Sequence, residues 1–194
     1  MADHNEQTLA DSERTESDEE LAARILDGDE GAFSCLVERY HPRIFRLVHG
    51  IIGDWHLSED VCQEIFTIFF RKLGGFRHRS RLGTWIYRVS VNAALKARKR
   101  VKNPVVDSTD YLATIASPED HRPGELEGSE VFQKLLAPLP PKLRVAVSLR
   151  EQAGLTYDEM ARVLNCTRGA VEQRLHRAMV ALRQIWKRSD WLEH

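Results

Sequence analysis

At 194 residues the chain has room for one medium domain or two small ones, and with 42% hydrophobic residues it can bury a core, although 29% charged is high for a single globule. No apolar run approaches the roughly 20 residues needed to cross a bilayer, and the polar, acidic start "MADHNEQTLADSERTESDEE" does not fit an ordinary secretory signal, so a cytoplasmic protein without membrane insertion is expected. The formal charge of −1 hides blocks of alternating sign: an acidic first twenty residues, a stretch 71–102 without one acid, acids again over 107–130, and a moderately basic C-terminal part.

In chain order, residues 1–17 form an apolar-poor tail expected to be disordered. Structure begins at "SDEEL", where Ser17 and Glu20 have capping-box spacing. In "DEGAFSCLVERYHPRIFRLVHGIIG", Phe33, Leu36, Val37, Tyr40, Ile44, Leu47 and Val48 recur at helical spacing, with a kink or break expected at Pro42. "SEDVCQEIFTIFFRKLGGF" predicts a third helix with Ser58 as N-cap, Glu59 and Asp60 in its first turn and Gly74-Gly75 as its stop. A fourth runs from near Arg81 to about Lys102. Three prolines, two glycines and scattered acids make 103–128 a linker. Then come "EVFQKLLAPL", ended by Pro140-Pro141, and "PKLRVAVSLREQAG", stopped at Gly154. "TYDEMARVLN" opens on a second capping box, Thr156 with Glu159, and a long helix follows Thr167. No segment alternates with period two, so the fold class is all-α: two small helical domains joined by a flexible linker.

"LTYDEMARVLNCTRGAVEQRLHRAMVALR" has helix-turn-helix spacing. Met160, Val163 and Leu164 are the core of the first helix, Asn165 suits the sharp turn, and Val171, Leu175, Ala178, Leu182 and Ile185 line one face of the second. The opposite face carries Gly169, Gln173, His176 and Arg177, with Ala170 and Glu172 at its edges. Gly169 and Ala170 let the helix approach DNA closely. Gln173 can pair with adenine, Arg177 can reach guanine or phosphate, and Glu172 can accept from cytosine.

On the fourth helix Leu82, Trp85, Ile86, Val89 and Ala93 are expected to face a core, while Arg81, Thr84, Arg88, Asn92, Lys96 and Lys99 form a neighbouring stripe. Solvated helix faces mix signs; this one has no acid, and the basic loop "GGFRHRSR" precedes it. The stripe suits a polyanion such as duplex backbone. Simple electrostatic attraction is the favoured use; capture of an unstacked base, with Asn92 contributing its amide, is the sharper one.

Other chemistries find no support. Cys35, Cys62 and Cys166 are scattered without a Cys-x-x-Cys pair and are expected to be reduced, and the eight histidines show no His-Glu-x-x-His spacing, so neither a metal nor a cofactor is expected. Paired carboxylates at metal-ligand spacing, a phosphate loop and a nucleophile–base set are also missing, so an enzyme is not expected.

From Asp18 to Ile185 the chain resembles bacterial sigma factors of the extracytoplasmic-function (ECF) group, through "GDEGAFSCLVERY", "SEDVCQEIFTIFFRKLGGFR", "SRLGTWIYRVSVNAA" and "LPPKLRVAVSLREQAGLTYDEMARVLNCTRGAVEQRLHRA". The resemblance implies a region 2-like domain over 18–102, a linker over 103–128 threaded through the polymerase, and a region 4-like domain over 129–194. It implies that Asp60, Gln63 and Glu64 dock on the clamp helices of the beta-prime subunit of core RNA polymerase and that the region 4-like domain meets the beta flap. It implies that Arg77, Arg79, Ser80, Arg81, Arg88, Asn92, Lys96 and Lys99 melt the −10 element of promoter DNA, with Asn92 near a flipped base and Trp85 in the core beneath. For the −35 element it implies Arg150, Thr167, Arg168, Gly169, Ala170, Glu172, Gln173, His176 and Arg177. An anti-sigma partner is expected on the same ground. Ala170, Glu172, Gln173 and Met179 depart from the Thr, Lys or Arg, Ser and Arg often found there, so the family's usual AAC-containing preference is not carried over.

Two readings compete: a dissociable promoter-specificity subunit, and a stand-alone helix-turn-helix regulator whose N-terminal helices dimerise. The acidic "SEDVCQE" helix and the unpaired basic loop favour the first. The acidic tail could fold back on the basic surface, though a solubilising role is the plainer expectation.

Overall fold

The computed structural model describes residues 16–76, 81–102 and 127–188; the acidic tail up to residue 15, Arg77, Arg79 and Ser80 of the basic loop, and linker residues 103–126 lie outside the described residues. Among the described residues all regular elements are helical. Helix α1 (Asp18–Leu26) starts on the expected capping box: the Ser17 hydroxyl accepts from the Glu20 N–H at 3.2 Å and the Glu20 carboxylate accepts the Ser17 N–H at 2.7 Å.

Helix α2 (Glu30–Ile52) is continuous through Pro42, so of the kink or break expected there the break does not occur. Leu36, Tyr40, Ile44 and Leu47 are buried on both sides of Pro42, which is itself exposed. Burying each such side chain contributes about 1.5–3 kcal/mol, which together outweighs the ~3 kcal/mol proline penalty. Gly53, left-handed at φ 85°, ends the helix by donating to the His49 carbonyl at 2.8 Å.

Helix α3 (Trp55–Lys72) begins before the predicted cap. Asp54 caps it, accepting the Leu57 N–H at 2.8 Å, and Ser58 is instead buried with its hydroxyl donating to the Asp54 carbonyl. The extra turn is held by Trp55, whose ring meets Phe45 at 4.5 Å and His49 at 5.7 Å. A 3-10 turn over Leu73–Gly75 follows, so the predicted glycine stop stands. Four more helices and the long last one complete the described chain: α4 (Leu82–Lys102), α5 (Glu127–Leu136), α6 (Pro141–Glu151), α7 (Tyr157–Leu164) and α8 (Arg168–Arg188).

Helix α2 is the hub, packing against α1, α3, α4 and α6. The last of these pairings joins the two halves of the chain: Val145, Ala146 and Leu149 of α6, with Met160, Val163 and Val171 beyond it, belong to one hydrophobic cluster with Leu36, Ile44, Leu47 and Ile86. Val147, on another face of α6, joins a second, smaller cluster with Leu136, Leu139 and Ala178. Arg144 through Leu149 are therefore all buried, as a helix enclosed on every side requires. Arg144 is 3% exposed, and both terminal nitrogens of its guanidinium donate to carbonyls, Nη1 to Ile51 at 3.3 Å and Nη2 to Leu139 at 3.2 Å and to Ala137. Its Nε is buried without a hydrogen-bonding protein partner. Arg98 of α4 donates to Ile51 and Ile52, so two cations converge on the negative end of α2.

His49 is buried among Phe45 and Trp55, and burial lowers its pKa below the ordinary value despite nearby Asp54. The unfolded chain takes up this proton near pH 6.5 while the folded imidazole resists it, so stability is lost as pH falls below about 6.5. His49→Phe is expected to flatten the fall in urea midpoint between about pH 7 and pH 5; equal slopes for the variant and the parent chain would show that His49 does not contribute.

Candidate nucleic-acid interface

Three surfaces carry the predicted site residues. The first is the outer face of α3. Val61, Cys62, Ile65, Phe66 and Phe69 are buried, which leaves Asp60, Gln63 and Glu64 exposed together on the other side. Burial pushes the Cys62 thiol up to about 12, so it is a packing residue at neutral pH. Periodicity missed one feature of this surface. Phe70 is 57% exposed, edge-on to Phe33 at 5.2 Å, and extends the line of Asp60, Gln63 and Thr67. The only sequence signal for it is the doublet Phe69-Phe70, of which a helix can bury one.

The second surface is α4, and here the predicted stripe divides. Asn92, Lys96 and Lys99 are exposed, as is Arg81 at the N-terminal end. Thr84, placed in the same stripe, is only 7% exposed. Arg88 is half-buried, and its Nη2 donates to the Arg162 carbonyl at 2.6 Å. The cause lies outside the helix: α7 packs along α4, covering a flank that α4 alone would leave to solvent. On the inner side Leu82 and Ile86 are buried as expected. Trp85, Val89 and Ala93 are only half-buried, and Tyr87, Ser90, Val91, Ala94 and Ala97 complete the buried face. Trp85 lies between Phe69 at 5.5 Å and Phe76 at 5.4 Å, consistent with a core role beneath the surface.

The third surface is the helix-turn-helix of α7 and α8. The Thr156 hydroxyl accepts the Glu159 N–H at 3.3 Å, and the Glu159 carboxylate accepts the Thr156 N–H at 2.8 Å. That backbone hydrogen bond, aided by the Thr156 hydroxyl, holds the carboxyl below its usual range. Asn165 stands left-handed at φ 49°, ψ 53° as the turn requires, alone in this among the described non-glycine residues. Thr167 caps α8 by accepting the Ala170 N–H at 3.2 Å.

Met160, Val163, Val171 and Ala178 are buried between the two helices and the rest of the fold. Thr167, Arg168, Gly169, Glu172, Gln173, His176 and Arg177 consequently stand exposed on the opposite side, with Ala170 half-buried. A side chain at Gly169 would meet no neighbour, so the space above the first turn is open. Arg168 pairs with Glu172 at 3.0 Å and Asp158 at 3.3 Å, which offsets much of the repulsion Glu172 would present to phosphate. Arg150 lies 5.2 Å over the Tyr157 ring and donates to the Leu155 carbonyl at 3.0 Å, its position fixed at the edge of this surface.

Among the described residues no group of His, Cys, Asp and Glu is arranged to hold a metal ion, and no helix is long and apolar enough to cross a membrane.

Residues 36–103 match the family model for sigma-70 region 2, and residues 129–182 match that for sigma-70 region 4. The chain is 35% identical over 180 residues to the RNA polymerase sigma-H factor of Pseudomonas aeruginosa, covering 86% of this chain and 92% of that protein. It is 33% identical over 178 residues to the ECF RNA polymerase sigma-E factor of Escherichia coli, with the same coverage, 86% and 92%. Two solved structures share the fold. CnrH in complex with the cytosolic domain of CnrY gives a TM-score of 0.66 at 21% identity over 86% of this chain and 95% of that one. RpoE in complex with the anti-sigma factor NepR from Bartonella quintana gives 0.60 at 19% over 81% and 98%.

Proposed function

The chain belongs to the ECF group of the sigma-70 family and directs RNA polymerase to promoters; from that premise we propose how its surfaces divide the work. The domain over 18–102 docks on core polymerase through Asp60, Gln63 and Glu64 against the beta-prime clamp helices. It opens the −10 element with Arg77, Arg79, Ser80, Arg81, Arg88, Asn92, Lys96 and Lys99. The domain over 129–194 reads the −35 element and meets the beta flap, and the acidic segment 103–128 connects the two.

The observation that supports this most strongly is the helix-turn-helix itself. The left-handed Asn165 and the Thr167 cap orient α8 so that Gly169, Gln173, His176 and Arg177 form one open face at its N-terminal end. Arg150, Arg168, Ala170 and Glu172 border that face. Such an N-terminal face enters a major groove and reads base edges. The stand-alone regulator reading has no comparable support, because region 2 similarity accounts for the N-terminal half.

The protein is read as a cytoplasmic specificity subunit without chemistry of its own. The solved relatives CnrH and RpoE are described as bound to CnrY and to the anti-sigma factor NepR, and we extend to this chain the expectation of an anti-sigma partner.

Reconstitution with core polymerase and mapping of transcription starts tests the assignment. Gln173→Ala and Arg177→Ala should each lower initiation from the cognate promoter by roughly ten- to a hundredfold, on the order of 1–3 kcal/mol per base contact, and relax selectivity at one −35 position. Retained selectivity in both variants would move the −35 reading elsewhere. Failure of the parent chain to bind core polymerase would overturn the whole assignment.

A further inference from the structure

An acid stands on the surface that the helix-turn-helix turns outward. Glu172 is exposed, three residues after Gly169 and four before His176, and so shares their side of α8. Gly169 has no side chain and Ala170 is half-buried, so beyond Thr167 and Arg168 the first turn of α8 offers nothing that reaches outward. Glu172 and Gln173 are the next long side chains that an approaching base edge would meet.

Arg168 does not compete for that edge. Its Nε donates to Glu172 Oε1 at 3.0 Å, and its Nη1 donates to Asp158 Oδ2 at 3.3 Å. Its guanidinium also lies 5.9 Å from the centre of the Tyr157 ring, the ring over which Arg150 lies at 5.2 Å. Tyr157 and Asp158 belong to α7, so the first helix of the pair fixes a cation of the second. Exposed ion pairs of this kind add little to stability; what they set here is direction. The Glu172 carboxylate is held by one oxygen, and its Oε2 has no hydrogen-bonding partner among the described residues.

An ionised carboxylate can only accept hydrogen bonds. In the major groove guanine presents the acceptors N7 and O6 and thymine presents O4, so both repel it. Adenine offers its N6 amino group beside the acceptor N7. Cytosine offers its N4 amino group with no acceptor on its own edge. A carboxylate aimed at that groove therefore prefers cytosine, then adenine, and disfavours guanine most.

We propose that Glu172 is a specificity-determining residue that selects cytosine at one position of the −35 element, and that Arg168 is its positioning residue rather than a reader of bases. The inference rests on the placement of α8 in the major groove.

The test uses holoenzyme reconstituted from core polymerase and the full chain. Its templates are a library randomised through the −35 region of a promoter mapped by its transcription start, and base preferences are read by sequencing the transcribed templates. The parent chain should favour cytosine over guanine at one position by about ten- to a hundredfold. Glu172→Gln places a donor beside an acceptor, the pattern that matches adenine, and should move the preference at that position to adenine. Glu172→Ala should leave less than about a twofold preference there while the other positions keep theirs. Arg168→Ala should flatten the same position and no other, and Arg168→Lys, which keeps a cation beside Oε1, should retain the cytosine preference. In the Glu172→Ala background, Arg168→Ala should change the profile no further. A merely structural Arg168 would lower initiation from every template alike and leave each preference where it was.

A cytosine preference that survives both Glu172 variants, or a position that answers to Glu172 but favours guanine or thymine, overturns the proposal. An unaltered profile in Arg168→Ala overturns its positioning role. These outcomes leave the promoter assignment standing where Gln173→Ala and Arg177→Ala relax positions of their own. A parent chain that transcribes the library with no preference at any −35 position instead removes α8 from the groove, and the inference goes with it.

Discussion

Reversing two charges on α3, Asp60→Lys with Glu64→Lys, should weaken binding to core polymerase on the order of a hundredfold or more, while the thermal midpoint stays within a degree or two. Both carboxylates are exposed, with the buried residues of α3 on the other side, so the core of the fold is untouched. At a docked interface each becomes a desolvated charge facing a partner. Close charge pairs across interfaces couple by about 1.5–7 kcal/mol, and reversal replaces attraction with repulsion. Even about 3 kcal/mol corresponds to more than a hundredfold in affinity. The measurement is a titration of core polymerase with labelled chain at moderate salt, with Asp27→Lys and Glu38→Lys together, both exposed and off α3, as a charge-matched control. Equal weakening in the control would reduce the effect to net charge, and unchanged binding would remove the docking surface from α3.

Neutralising Arg88, Lys96 and Lys99 together, each to Gln, should abolish strand opening by the holoenzyme while leaving its assembly intact. Lys96 and Lys99 stand exposed along one side of α4 with Asn92, and no acid lies anywhere on that helix to offset them. Each cation that neutralises a phosphate contributes about 0.7–0.9 to the salt slope of binding, so the triple variant should lower the slope by about two to three. Opening also requires separated strands to be held, a state more demanding of local positive charge than duplex binding. Permanganate reactivity of unpaired thymines at the −10 element is the direct readout. Persistence of that signal at parental level would remove α4 from the melting step. Arg88→Gln alone is informative in another way: it takes a cation from the surface proposed to meet DNA and at the same time removes the donor to the Arg162 carbonyl.

How much of this was legible beforehand depended on how local the determining interaction is. The capping boxes at Ser17 and Thr156, the turn at Asn165 and the cap at Thr167 rest on hydrogen bonds between residues three or four apart, and each was found where the spacing placed it. The exposed face of α8 followed from the same short-range periodicity. Two local expectations failed for non-local reasons. The Ser58 cap yielded to Asp54 because Trp55 packs on Phe45 and His49 of a different helix. At Pro42, where a kink or a break was expected, no break occurs, because burial on both sides of it holds the helix continuous.

The amino-acid sequence alone thus determined the all-helical class, the order of the helices, the acid-free character of α4 and the exposed side of α8. All of these are carried by composition, caps and a repeat of about 3.6 residues. The tertiary structure alone decided that α6 is enclosed by both halves, that Arg144 serves α2, and that Arg88 is engaged by the helix-turn-helix domain. The hydrogen bonds of Arg144 and Arg88 join residues 93 and 74 positions apart. Nothing in a helical repeat records such a partner; it is fixed by which surfaces are complementary in shape and leave the fewest polar groups unpaired once the helices meet.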